Sequence, residues 1–394
     1  MRKSLLAVAV LGAFAANAMA TDVTLYGIVD TGLKYQNVKQ TDKKSTNSFS
    51  MASGIQSGSR WGLKGVEDIG NGYKVGFILE SGINSDTGKA ADSDRLFGRE
   101  SIVYVKNDSF GEVAFGRTGA INGLAQTYAL QGRLAALGTS WGAGTAYAGG
   151  SFVNNGRVDN SVTYRSPKFA GVQVSAQYSF KMDEAKDSSN RENSAATNRY
   201  AALGLTYDNG PLAVGFIADF VNKASNKSGK KLDVDDSYSV SLGAAYDFGF
   251  VKPLIGVQYF KHQDGKLNQT KTWMGAVEDD DDGNPIDAVV NNLEGFGVNL
   301  GATAPLFGGQ LLAGIGFVKA DDNGYTDTKY YGTSEDAEKV KFTRYVGSLG
   351  YTYNLSKRTN LYSMLSYQQD KYKYDGETEK IKTTTVFAGI RHRF

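Results

Sequence analysis

Few residues in this chain could make or break bonds. There is no cysteine, so thiol, zinc–thiolate and iron–sulfur chemistry lack their ligands. His262 ends a polar–apolar stretch and His392 reads as an outward residue of the last one. No GxSxG motif and no paired His–Asp spacing places a base beside a nucleophile, so a hydrolase lacks its parts. The run Glu278-Asp279-Asp280-Asp281-Asp282-Gly283-Asn284 could gather a hard divalent cation. Its spacing is not that of a formed calcium loop, and a solvated loop is the simpler reading. No enzyme activity, cofactor or metal is expected. What remains is the chemistry of fixed charge: Arg60, Lys64, Arg99, Arg133, Arg157, Arg165, Arg344 and Lys34, with the acids Asp30 and Glu80. Charges held in a ring select ions passing through it.

A wall must hold such charges, and the chain reads as one. Arg2 and Lys3, the apolar run Leu5 to Ala16 and Ala18-Met19-Ala20 form the three parts of a secretory signal peptide over 1–20. Without Arg2 and Lys3 the basic and acidic side chains balance, and nothing points to a nucleic-acid partner. Residues 21–394 contain no apolar run of about 18 residues, so no transmembrane helix is expected. Mean hydropathy is negative. Strands that face lipid on one side and water on the other average out in this way. Tyrosine and phenylalanine are plentiful and proline is scarce, which suits strands.

The first stretch, VTLYGIVDTGLKY from Val23 to Tyr35, sets the pattern. Val23, Leu25, Gly27, Val29, Thr31, Leu33 and Tyr35 share one face; Thr24, Asp30 and Lys34 share the other, with Tyr26 and Ile28 as exceptions. The unit recurs at 55–65, 73–81, 96–106, 111–118, 158–165, 170–182, 198–208, 211–223, 236–248, 251–262, 292–304, 310–319, 341–354, 359–370 and 382–394, making sixteen strands. Short links such as Asp208-Asn209-Gly210-Pro211 alternate with long polar ones at 36–54, 82–95, 183–197, 224–235, 263–291, 320–340 and 371–381. Short turns on one side and long loops on the other define an all-β, transmembrane antiparallel β-barrel of the bacterial outer membrane, crossed many times after export through the periplasm. Lipid enforces closure, because every backbone N–H and C=O must be bonded internally.

One stretch breaks the pattern. Gly119 to Val158 carries no acid, only Arg133 and Arg157 as bases, nine glycines, and apolar or aromatic residues without a period of two. It sits where a long loop belongs but lacks the charge of one. Residues 119–157 are therefore expected to fold into the lumen and narrow it.

Ser57 to Glu80, SGSRWGLKGVEDIGNGYKVGFILE, resembles the SRWGxKGxEDLGxG signature of general porins of the neisserial and β-proteobacterial kind. Val158 to Val172, Asn354 to Tyr362 and Ala388 to Phe394 are similar to the same family, so the likeness spreads over the whole chain after 1–20. The resemblance implies a sixteen-stranded homotrimer, an inward third loop, and passive diffusion of small hydrophilic solutes. It implies that Phe394, with Ile390 at an alternate position, is read by the barrel-assembly machinery, and that outer-membrane lipid and lipopolysaccharide surround the wall. That family commonly carries acids on the third loop; this chain has none there.

With Trp61, Leu63 and Gly65 toward lipid, Arg60 and Lys64 face the lumen. The family pattern puts Arg99 inward with Ser101 and Val103. Arg157 and Arg165 share a face, and Arg344 points inward if Tyr345, Leu349 and Tyr351 point out. Lys or Arg on the lipid face costs about 2–4 kcal/mol at the midplane, which favours inward placement. Asp30 and Glu80 partly offset this ladder. Arg133 either lines the narrowing or ties the loop to a wall carboxylate. Tyr26, Tyr35, Tyr178, Tyr207, Tyr246, Tyr259, Tyr351 and Tyr353 are expected in interfacial girdles. The function expected is a water-filled, weakly anion-preferring channel. The alternatives are a substrate-specific channel and a barrel for surface interaction. In a planar bilayer the channel should give ohmic current with three-step insertions; a surface-interaction barrel should give none.

Overall fold

A computed structural model describes residues 23–142, 144–184, 191–227, 230–231, 235–263, 293–322, 340–374 and 376–394. The 1–20 segment and the acidic run 278–282 lie outside the described residues. The strands are β1 (Thr24–Gln40), β2 (Thr46–Ser53), β3 (Arg60–Gly70), β4 (Tyr73–Gly82), β5 (Glu100–Asn107), β6 (Gly111–Gly119), β7 (Arg157–Arg165), β8 (Val172–Ser179), β9 (Arg199–Asn209) and β10 (Leu212–Asn222). A small hairpin of β11 (Asn226–Lys227) and β12 (Lys230–Lys231) follows. The wall resumes with β13 (Ser237–Tyr246), β14 (Lys252–Gln263), β15 (Leu293–Leu306), β16 (Gly309–Asp322), β17 (Val340–Asn354), β18 (Thr359–Tyr374) and β19 (Glu377–Arg393).

Each wall strand pairs antiparallel with its neighbours, and β1 closes the ring on β19 from Ile28–Arg393 to Gln40–Ile381. Phe394 and Gly27 exchange two backbone hydrogen bonds of 3.1 Å at that seam. β2 pairs with the far half of β1 and β3 with its near half, so the two are one interrupted barrel strand and the wall is a closed sixteen-stranded barrel.

The two faces of this wall are unlike. Along β13, Tyr238, Val240, Leu242 and Tyr246 are exposed, whereas Ser237, Ser239 and Ser241 are buried. Along β18, Leu361, Leu365 and Tyr367 are exposed and Asn360, Ser366, Gln368 and Asp370 are buried. An apolar outer face over a polar inner one suits a barrel in lipid. Among the described residues no helix is long and apolar enough to cross a membrane.

Several sequence expectations change. The 36–54 stretch is mostly strand, because β1 runs on to Gln40 and β2 turns back against it. The 371–381 stretch is a tight hairpin, since the alternation of β18 and β19 continues to Tyr374 and from Glu377. Residues 96–99 precede β5 instead of opening it. Tyr26 is no girdle residue: its hydroxyl donates to Glu80 Oε2 at 3.0 Å on the inner side. Tyr35, Tyr246, Tyr259 and Tyr353 are exposed on the outer face.

The interruption between β2 and β3 is held by Asp30, which is fully buried. Its carboxylate accepts from the Ser57 N–H (2.7 Å) and the Tyr362 hydroxyl (2.6 Å), while Ser59 Oγ bonds its backbone N–H and C=O at 3.0 Å each. Asp30 is thus a bracket for the break and offers no free charge to the bore. Hydrogen bonds to a charged group contribute about 1.5–3 kcal/mol. Asp30→Asn should therefore lower the urea midpoint of the folded barrel by a corresponding amount, read by the heat-modifiable mobility of folded protein. Asp42→Asn, on an exposed turn, should leave the midpoint in place.

Candidate functional site

The segment between β6 and β7 makes no ladder of its own beyond one 3-10 turn (Gln131–Leu134) and one helical turn (Ala148–Ser151). It is nevertheless buried: Tyr128, Leu134, Leu137, Trp141, Ala148 and Phe152 are all inaccessible or nearly so. Buried backbone groups without a ladder need other partners. The polar inner side chains of the wall supply them. Gln177 Oε1 accepts from the Ile121 N–H at 3.0 Å, Gln258 Oε1 from the Val153 N–H at 2.7 Å, and Ser348 Oγ from the Ala146 N–H at 2.9 Å. Asn299 Nδ2 donates to the Ala146 carbonyl at 3.0 Å. At the far end the Trp141 N–H donates to the Ile55 carbonyl at 3.0 Å, and the indole meets Tyr362 edge-on, with centroids 5.6 Å apart.

The wall also makes room. A Cβ on Gly243 would lie 2.6 Å from Leu134 Cδ2, one on Gly301 2.6 Å from Ala136 Cβ, and one on Gly314 2.8 Å from Leu137 Cδ1; Gly256 and Gly297 are tighter still, against Leu134 O and Ser151 O. Real Cβ atoms do not approach so closely. These inner-face glycines form a bed in which the segment lies. Acids of the wall tie down its first half. Glu100 accepts from the hydroxyls of Thr118 (2.6 Å) and Thr127 (2.9 Å), and Glu112 Oε1 accepts from the Tyr128 hydroxyl at 2.6 Å. Burial, reinforced by the bond to Glu112, raises the Tyr128 phenol above its ordinary range, so the donor proton stays on it.

The predicted charges divide into two sets. Arg133, Arg165 and Arg344 are paired. Arg133 bonds Asp208, the tie to a wall carboxylate. Arg165 donates to Glu112 at 2.9 Å and lies 4.9 Å from the Tyr128 ring centroid. Arg344 is fully buried and grips Asp370 through Nε and Nη2, both at 2.7 Å. The second set gathers round Glu80. Arg99 Nε donates to Glu80 Oε1 at 2.7 Å, and Arg60 Nε stands 3.8 Å from Oε2. Arg157 lies beside Arg99, Arg117 and Arg60, and its Nε has no partner among the described residues. Arg99 does not share an inward face with Val103. Val103 is exposed with Phe115 on the outer side, and Arg99 reaches Glu80 because it precedes the strand. Lys64 is exposed, with Nζ 5.2 Å from the Tyr26 centroid, and Lys34 shares the Asp30 face of β1. Ile390 is exposed on the outer face and the Phe394 ring covers Gly27.

Sequence reasoning missed four cations. Arg117 bonds Asp159 and donates to the Gly98 carbonyl at 2.8 Å; Arg95 reaches Asp159 (3.1 Å) and Asp183 (2.6 Å). Arg391 and Arg393 extend the Arg60 group along β19. Among the described residues Arg391 bonds neutral acceptors, Asn360 Oδ1 at 2.9 Å and Ser57 Oγ at 2.8 Å. It borders a cavity of about 500 Å³ whose other side carries Thr139, Ser140 and Trp141. The signal was present: in Ile390-Arg391-His392-Arg393-Phe394 the two arginines alternate with outward residues.

A closed, apolar-skinned barrel with a polar, cation-bearing inner face defines a membrane channel of the outer-membrane type. The model of the Gram-negative porin family matches residues 7–373, and the chain belongs to that family. It is 36% identical to an outer membrane porin protein of Bordetella pertussis over all of both chains, and 32% identical to outer membrane porin protein 32 of Delftia acidovorans over 99% of this chain and 95% of that one. Among solved structures it is similar to the anion-selective porin from Comamonas acidovorans, with a TM-score of 0.62, 26% identity, and coverage of 95% of this chain and all of that one. The protein is accordingly a passive outer-membrane channel, not an enzyme.

Overpacking a close-packed contact costs about 1–3 kcal/mol. Gly256→Val should unseat the 119–157 segment and change single-channel conductance. Gly347→Val, where the nearest atom to a Cβ is 4.0 Å away, should leave conductance as it is.

Proposed function

We propose that the 119–157 segment forms the narrowest part of the bore and that solutes pass between its middle, around Thr139 to Trp141, and the wall bearing Arg60, Arg99 and Arg391, with Arg157 where the segment rejoins that wall. On this reading the channel is a general one with a weak preference for anions. One observation carries it: cations outnumber carboxylates around Glu80, and the segment opposite has no acid at all. An anion approaching the gap meets more guanidinium groups than Glu80 can compensate, and no carboxylate on the segment opposite. Because the segment carries no acid, the field across the gap has no opposing negative side, which fits weak selectivity better than strong orientation of the solute. The relative from Comamonas acidovorans is anion-selective, and this supports the same sign here. The reading keeps the homotrimer, with a signal sequence at 1–20 and recognition of Phe394 during assembly.

The test is the reversal potential of refolded protein across a KCl gradient. A potential on the chloride side of zero is expected. The triple variant Arg60→Gln, Arg99→Gln, Arg157→Gln should move it toward zero, and high salt should weaken the preference in the unaltered protein, because the Debye length shrinks from about 10 Å at 0.1 M to about 3 Å at 1 M. Cation preference in the unaltered channel would remove the proposal.

A further inference from the structure

The cavity bordered by Arg391 lies at the short-turn end of the bore, beside the 306–309 turn, the end of β17 and the start of β18. Its volume, about 500 Å³, suits a small molecule, since ligand pockets run from about 300 to 1,000 Å³. Four amides line it, Gln56, Gln310, Asn354 and Asn360, and the segment adds the hydroxyls of Thr139 and Ser140. Among the described residues no carboxylate lines it. Arg391 is partly engaged: its bonds to Asn360 and Ser57 occupy Nε and Nη1, and Asn360 Nδ2 donates onward to Gln56 Oε1 at 2.8 Å. The guanidinium thereby fixes the order of the amides around it. Gln310 and Asn354 make no side-chain hydrogen bond among the described residues, so their amides are open to a guest. Trp141 is buried, yet its indole N–H has no partner among those residues either. Its φ of 97° is rare for a bulky residue. Such a conformation persists only where the surroundings hold it, and it gathers at ligand sites.

These groups select by hydrogen bonding. An amide offers donors and an acceptor, and a hydroxyl does both from one atom. A simple anion only accepts, and it leaves the amide carbonyls unmatched. A metal cation only takes lone pairs, and it meets Arg391 as a like charge. Several hydroxyls on one small frame match the lining. Each can accept from Arg391, Trp141 or an amide N–H and donate to an amide carbonyl. A polar group left unmatched in a closed site is costly, so the lining discriminates against molecules of the right size that lack hydroxyls.

We propose that this cavity is a subsite for neutral sugars of hexose size, set on the short-turn side of the narrowing. The proposal rests on the outer-membrane channel reading but not on the sign of its ion selectivity. The test uses the full refolded protein in planar bilayers in KCl. Glucose, galactose or mannose is added, with polyethylene glycol of matched size and acetate as comparisons. At least one hexose should lower the current along a saturable curve; polyethylene glycol and acetate should show no saturation. The double variant Gln310→Leu, Asn354→Leu should raise the half-saturating sugar concentration about tenfold. Trp141→Phe keeps a ring against Tyr362 and removes the N–H, and should raise it about fivefold. Absence of saturation with all three hexoses, equal saturation with polyethylene glycol or acetate, or an unchanged curve in the double variant would each overturn the proposal. If the double variant does not refold, Trp141→Phe and the comparison of solutes on unaltered protein still decide. Conductance and reversal potential in KCl alone, read on the same bilayers, test the channel reading separately.

Discussion

A peptide group removed from water must find a partner inside the molecule. In lipid each unpaired group costs several kcal/mol, and the whole architecture answers that demand in two ways. The wall answers it by closing: β1 meets β19, and Phe394 exchanges bonds with Gly27, so the sheet has no free edge at the seam. The segment between β6 and β7 has no ladder and answers it with borrowed side chains. Gln177, Gln258, Asn299 and Ser348 stand on the inner face of four different strands and bond its backbone.

The second answer links packing to function. A wall side chain that bonds the segment must be polar, and where the segment touches the wall itself there is no room for any side chain. Hence amides and hydroxyls alternate with glycines such as Gly256 and Gly297 along the inner face. The position of the segment is over-determined by these contacts. A displacement would break several hydrogen bonds and open voids together, so the arrangement has little scope to slide gradually. The break at 54–59 belongs to the same system, because Asp30 holds it where Ile55 can receive the Trp141 N–H.

Electrostatics then follows from which acids are already engaged. Asp370 is committed to Arg344, Glu112 to Arg165 and Tyr128, Asp208 to Arg133 and Lys168, and Asp30 to the break. Glu80 remains among Arg60, Arg99 and their neighbours and cannot neutralise all of them. The small overall charge of the chain, 43 basic against 41 acidic side chains, therefore hides a local excess of cations on one part of the inner face.

By itself the sequence determined the wall. Period-two alternation, turn residues at regular intervals and the absence of long apolar runs leave a closed barrel as the arrangement that satisfies lipid outside and water inside. The odd composition of 119–157 marked that stretch as different, and the alternation singled out Arg60 and Arg157 as candidate inner-face cations, while Arg99 lies ahead of β5 and not on the strand face assumed for it. Tertiary structure alone decided which charges are free. Asp30 and Arg344 look like any wall charge in the sequence, yet both are fully buried, because their partners come from elsewhere in the chain, Ser57 from the break at 54–59 and Tyr362 and Asp370 from β18. Arg391 reads as part of a terminal motif until closure brings β19 beside β1. Alternation is a local property, carried by neighbours in the chain. Pairing between strands far apart in the chain depends on register, and register is fixed only when the ring closes.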